Sequence, residues 1–217
     1  MLVSLGSSVY YRTVANGVFH CERCGGDRPY RHRSGRRWAQ LLGLPVVPLS
    51  RSGEHLRCAI CRTCYRVELL AVPTAEQMQA ALLSATTAAT LAMLNAGGPA
   101  SQASRRRAIE LIISAGSPRY GEPDLEVALE RSIQSRDAEL SCGPAPGLRR
   151  AVETLAIQLE TYSKEWFLAK VVQVGLADGS LSAPERDVVG KVARYLGLSQ
   201  ARADDVIQLA EEAAQAG

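Results

Sequence analysis

Lysine is missing from the first 70 residues, although 11 arginines crowd the same stretch. Four acids share it (Glu22, Asp27, Glu54 and Glu68), leaving a formal charge of +7, whereas the rest of the chain holds 14 basic and 18 acidic residues, or −4. The two parts are electrostatically different pieces. Aromatics are scarce at 5 %, so the 47 % apolar content rests on Ala, Leu and Val, a composition that leans towards helices. No apolar run reaches the roughly 18 residues of a membrane span. The opening "MLVSLGSSVYYR" lacks a basic region and a small-residue cleavage site, arguing against a secretory leader. Missing too are a Ser/His/Asp or Cys/His constellation and a phosphate-cradling glycine loop, so no enzyme class and no small-molecule substrate suggest themselves. A cytoplasmic protein is expected. There thiols stay reduced, and clustered cysteines bind metal more readily than they pair.

Such a cluster is present. "HCERCGG" supplies Cys21-x-x-Cys24, and "RCAICRTC" places Cys58, Cys61 and Cys64 three residues apart. A C-x-x-C turn lets two thiolates converge on one ion, and Gly25 and Gly26 offer the positive φ that such a turn favours. In zinc ribbons an aromatic commonly stands four residues after the last ligand. Tyr65 does so for Cys61, whereas ending on Cys64 would put Glu68 there. Cys21, Cys24, Cys58 and Cys61 are therefore the expected ligands of a structural Zn²⁺, with no position left for water. Cys64 becomes the spare, either a small apolar filler or a thiol that swaps onto the metal or acts as a redox trigger, and Cys142 in "LSCGPAPG" a loop residue without a cysteine neighbour. His20, His32 and His55 are expected at the surface or in the hairpin.

The reading is α+β, mostly α, with a boundary at Pro73: residues 1–72 as a small antiparallel zinc ribbon and 73–217 as an all-α bundle. In the ribbon, "GVFHC" and "YRVELL" read as strands, "LPVVPL" as an edge strand bounded by prolines, and "SRSG" as the hairpin turn. Its core is too small to fold without metal. Thr74 and Gln77 form a capping box opening a helix that stops at Gly97–Gly98. Further helices are expected near 101–115, 124–138, 147–159, 164–177, 183–197 and 200–215, with Ser163, Ser182 and Ser199 as N-caps and Gly197 as a C-terminal glycine.

A weak internal repeat lays "LADGSLSAPERDVV" on "NAGGPASQASRRRA", matching Asp178 with Gly97 and Glu185 with Ser104. Against a calcium loop, Gly179, Leu181 and Glu185 fit, but Val174 and Leu176 stand where the first acids belong. Ser182 and Glu185 also read as a capping box, with Pro184 in the first turn. Asp178 and Glu185 are thus either cap residues or a candidate second divalent site. The turn "GLADGSLSAPERDVV" between two helices, repeated at lower fidelity, resembles the TerB-like tellurite-resistance family. The N-terminal "FHCERCGGDRPY…RRW…LPVVPLSRSGEHLRCAICRTCY" looks like the zinc ribbon fused to such domains in high-GC Gram-positive bacteria. The resemblance implies a helical fold linked to tellurite and general stress resistance, with acids proposed to bind divalent metal. Only Asp178 and Glu185 occupy the acidic positions of that motif.

Two functions follow as expectations. One is a non-catalytic metal-binding and protein-interaction module of the stress response, with a protein partner or self-association. The other is nucleic-acid binding by the arginine-rich hairpin, carried by Arg31, Arg33, Arg36, Arg37 and Trp38, because arginine matches phosphate and aromatics stack bases. Four thiolates on Zn²⁺ would reduce the ribbon's charge to about +5.

Overall fold

A computed structural model of the chain describes residues 5–41, 44–96, 101–116, 126–127 and 146–215. The chain divides into two units, Met1–Gln77 and Met78–Gly217.

The first unit is an antiparallel sheet of four strands in sequential order. Strand β1 is Leu5–Cys21, β2 Gly26–Leu41, β3 Leu44–Cys58 and β4 only Cys64–Tyr65. The first three make a long ribbon. The β1–β2 pairing runs from Leu5↔Leu41 to Cys21↔Gly26, and the β2–β3 pairing from Leu41↔Leu44 to Tyr30↔Cys58. Two expectations need correction here. "SRSG" is not the hairpin turn, because the reversal falls between Leu41 and Leu44. Gly53, with φ 89°, instead sits in a register shift where Ser34↔Glu54 gives way to Arg36↔Arg51. A glycine inside a strand marks such a bulge as readily as a turn. "YRVELL" is not a strand beyond Tyr65, since Val67–Ala71 is a short 3-10 helix. Leu69 in that helix packs on the small core of Phe19, Cys21, Leu56 and Cys58, an attachment that an extended strand pattern does not reveal. Pro45 and Pro48 lie on β3 where β4 no longer covers it, an edge that tolerates their missing N–H groups.

The second unit is helical. Helix α1 is Ala75–Leu94 (its first turn falling in the first unit), α2 Gln102–Ser114, α3 Pro146–Ala156, α4 Thr161–Gly175, α5 Ala183–Leu196 and α6 Gln200–Gln215. Helix α4 packs against α2, α5 and α6 and buries Phe167, Leu168, Val171, Val172 and Val174. Helix α1 turns Ala81, Ala85, Ala89 and Met93 to the same core, at the spacing of one helical face. Thr74 and Gln77 form the expected capping box, at 3.0 and 3.3 Å. Gly197 closes α5 at φ 74°, and Ser199 caps α6 through the Arg202 amide. Ser163 is not a cap: α4 begins at Thr161 after Glu160, whose backbone is extended. The expected helix over 124–138 lies outside the described residues apart from 126–127, as do Gly97–Gly98 and Cys142.

Candidate metal centre

The two hairpin tips nearest the ends of β1 and β3 carry the cysteines. After β1, Glu22–Cys24 forms one 3-10 turn, and Gly25 reverses the chain at φ 63°. After β3, Arg62 takes the equivalent left-handed conformation at φ 61°, while the Cys58 amide donates to the Thr63 carbonyl and the Arg62 amide to the Cys58 carbonyl. The second tip makes its turn with a non-glycine residue, which costs about 1 kcal/mol or more and persists where surroundings over-determine it.

These turns bring the Sγ atoms of Cys21, Cys24, Cys58 and Cys61 within 4.8 Å of one another, with Cys21 and Cys58 buried. Cys21 Sγ and Cys61 Sγ are 3.7 Å apart. Four sulfurs at about 2.3 Å from a tetrahedral ion stand about 3.8 Å apart, so the donor set fits one thiophilic cation. Cys64 is exposed and outside the set. Tyr65 braces the centre. Its hydroxyl lies 3.3 Å from Cys21 Sγ and accepts from the Arg23 amide at 3.4 Å, and its ring meets Phe19 edge-on.

The thiols do not titrate alike. Burial raises the Cys24 thiol to about 11, helped by hydrogen bonds to Cys21, Cys61 and Cys58. Hydrogen bonds from the Thr63 side chain and backbone bring Cys61 down to about 6. At Cys21, burial pushes upward, but the Tyr65 hydroxyl and the Cys24 backbone leave the value lowered. Tyr65 itself is pushed up to about 12, first by its bond to Cys21. Sulfurs this close cannot all ionise without a cation among them.

The histidines lie elsewhere. His20 pairs with Asp27 at 3.4 Å, His32 with Glu54 at 2.9 Å, and His55 meets the Tyr11 ring edge-on. The five residues considered for nucleic acid do not share one face. Paired residues of an antiparallel sheet point to the same side and successive ones alternate. Arg36 and Trp38 therefore share the face of Tyr30 and Leu56, while Arg31, Arg33 and Arg37 take the opposite one. There Arg33 stacks over the Tyr11 ring. Arg12 and Tyr10, on the same side as Arg36, carried no recognisable signal in the sequence, because a bulge between Thr13 and Ala15 shifts the register of β1.

In the helical unit, Asp178 and Glu185 line one small cleft with Met93, Leu94, Ser104 and Gly175. Ser104, the repeat partner of Glu185, thus meets it across that cleft, while Gly97 lies outside the described residues. One Glu185 oxygen accepts from the Ser182 amide at 2.8 Å and from its hydroxyl at 2.6 Å, completing the capping box at the start of α5. Among the described residues, the four cysteines alone form a group of three or more potential metal ligands. No described helix is long and apolar enough to cross a membrane.

A family model described as tellurite resistance protein TerB matches residues 83–214. No curated protein sequence and no solved structure matches the chain.

Proposed function

The chain belongs to the tellurite resistance protein TerB family, and from that membership we propose that it is a non-catalytic metal-binding and protein-interaction module of the cytoplasm, serving the response to tellurite or to stress more generally. One observation carries the reading: four cysteine sulfurs from two separate hairpin tips converge within 4.8 Å. A zinc ion held by all four would cross-link the ribbon and have no free position at which to activate water, so its role is structural. The four thiolates supply the charge and Tyr65 orients one of them. The interaction role is supported by the helical unit. Tyr162 and Trp166 stand one turn apart on α4, 77 % and 49 % exposed, side chains of the kind enriched at protein interfaces. The carboxylates of Asp178 and Glu185 serve as cap and turn residues in this reading.

Metal analysis of the purified chain tests it. About one zinc per chain is expected. Cys61→Ser should lose that zinc and Cys64→Ser should keep it. Equal loss from both, or a metal-free wild type that is fully folded, overturns the structural-zinc reading. The stress role is tested by growth on tellurite of cells carrying Tyr162→Ser/Trp166→Ser. Growth equal to wild type would remove those aromatics from the function.

A further inference from the structure

Away from the cysteines, the ribbon forms a trough that no part of the metal reading uses. Three rows of paired side chains cross it on one face: Arg12 and Glu54 on either side of Ser34, then Tyr10, Arg36 and Arg51, then Trp38 with Pro48. Successive rows are about 7 Å apart along the strands. Three register shifts along β2 and β3 bend the sheet here, and bulges raise local twist, which gives the face its concavity.

The charges in this trough are unbalanced. Arg36 and Arg51 stand directly opposite one another, and like charges so placed destabilise a sheet. Arg12, Arg36 and Arg51 have no hydrogen-bonded or ion-paired partner among the described residues, and the one acid nearby, Glu54, is engaged by His32 at 2.9 Å. Tyr10 is 45 % exposed and fixed in place by Gln40, which donates to its hydroxyl at 2.9 Å. An uncompensated arginine pair flanked by an exposed Tyr10 and a half-buried Trp38 suits a ligand that offers both phosphates and flat rings. We propose that this trough binds single-stranded nucleic acid, with Arg12, Arg36 and Arg51 on successive phosphates and bases stacked on Trp38 and Tyr10. A folded duplex hides its base faces, and a peptide of acidic residues alone has no rings to stack, so neither uses the whole surface.

Trp38 reports on the proposal directly, since the chain has two tryptophans and Trp166→Phe leaves one. Titration of the zinc-loaded Trp166→Phe chain with short oligo(dT) and oligo(U) should quench Trp38 emission. The logarithm of affinity should fall against the logarithm of salt with a slope of about −2 between about 50 and 200 mM, as for three phosphate contacts. Arg36→Ala/Arg51→Ala should weaken binding by about tenfold or more and flatten that slope to about −0.7. The same double variant should raise the thermal midpoint, because it relieves the repulsion. Arg31→Ala/Arg57→Ala, on the opposite face, should leave affinity within about twofold. Tighter binding of one oligonucleotide would name RNA or DNA as the source, and either supports the proposal. No quenching by either, equal loss from both double variants, or equal affinity for poly-glutamate would overturn it, the last in favour of an acidic protein partner.

Discussion

Tyr65 ties the two hairpin tips together through one hydroxyl, which touches Cys21 Sγ from the first and accepts the Arg23 amide beside it. Groups that orient a ligand typically govern metal affinity by about tenfold to a hundredfold. Tyr65→Phe keeps the ring against Phe19 and should weaken zinc by about tenfold in competition with a chromophoric chelator; unchanged affinity would make the hydroxyl a bystander. His55 gives a second expectation. Burial, then Arg33, Arg57 and His32, hold its pKa below the usual value, with the Tyr11 ring edge-on beside it. The unfolded chain then binds more protons than the folded one. This contribution is complete above about pH 6.5 and is lost as pH falls through that value towards the folded one. The thermal midpoint of the zinc-loaded wild type should fall further between about pH 7.5 and 5.5 than that of His55→Gln; parallel losses would locate the acid sensitivity elsewhere. Spacing made the cysteine set and the position of Tyr65 legible beforehand. Arg62 was not, because a left-handed arginine has no composition signal, whereas Gly25 announced its own turn.

Helices were more legible than strands, and the reason is punctuation. Thr74, Ser182, Ser199 and Gly197 each mark a boundary through one local hydrogen bond or one backbone angle, which the sequence carries within a few residues. The ribbon depends instead on pairing between distant segments, so Gly53 could equally have closed a hairpin or bulged a strand. The capping box at α5 also lets the two readings of Glu185 be separated. Ser182→Ala should cost about 1 kcal/mol of unfolding free energy. Glu185→Gln should cost less, since an amide oxygen can still accept from the Ser182 amide. A rise in midpoint on adding a divalent cation, abolished by Glu185→Gln, would place a second ion in the cleft instead. Gly175, at the end of α4, is closely packed: a Cβ there would stand 2.5 Å from Leu181 Cδ2 and 2.7 Å from Met93 Cε, buried side-chain ends that would have to turn aside. Gly175→Ala should therefore destabilise the helical unit by about 1 kcal/mol in denaturant unfolding; a neutral result would mean that the Leu181 and Met93 side-chain ends repack freely around the new methyl.

The two units differ in what can hold them folded. The helical unit buries a continuous set of Leu, Val, Ile, Ala and Phe side chains, enough for a core of its own. Among its described residues the ribbon buries four apolar ones, and two of them are the cysteines of the proposed metal centre. Besides those cysteines only Phe19 and Leu56 are fully buried in that cluster, a small core for a sheet of this length. In the proposed reading, cross-linking of the two tips by a metal ion would supply much of the remaining stability of the sheet. The difference is one of placement rather than composition: the arginine-rich third holds many large apolar residues, but Val14, Val18, Leu44, Val46, Val47 and Leu49 stand exposed on the ribbon. Stripping zinc with a strong chelator should leave the helical circular dichroism nearly intact while the ribbon opens. Trypsin reads the result well, because every basic site in the first 70 residues is an arginine. Rapid cleavage there, with a fragment spanning the helical unit left behind, is the expected pattern, and adding back zinc before the protease should suppress it. Equal resistance of the ribbon with and without metal would show that its three long strands hold without the ion.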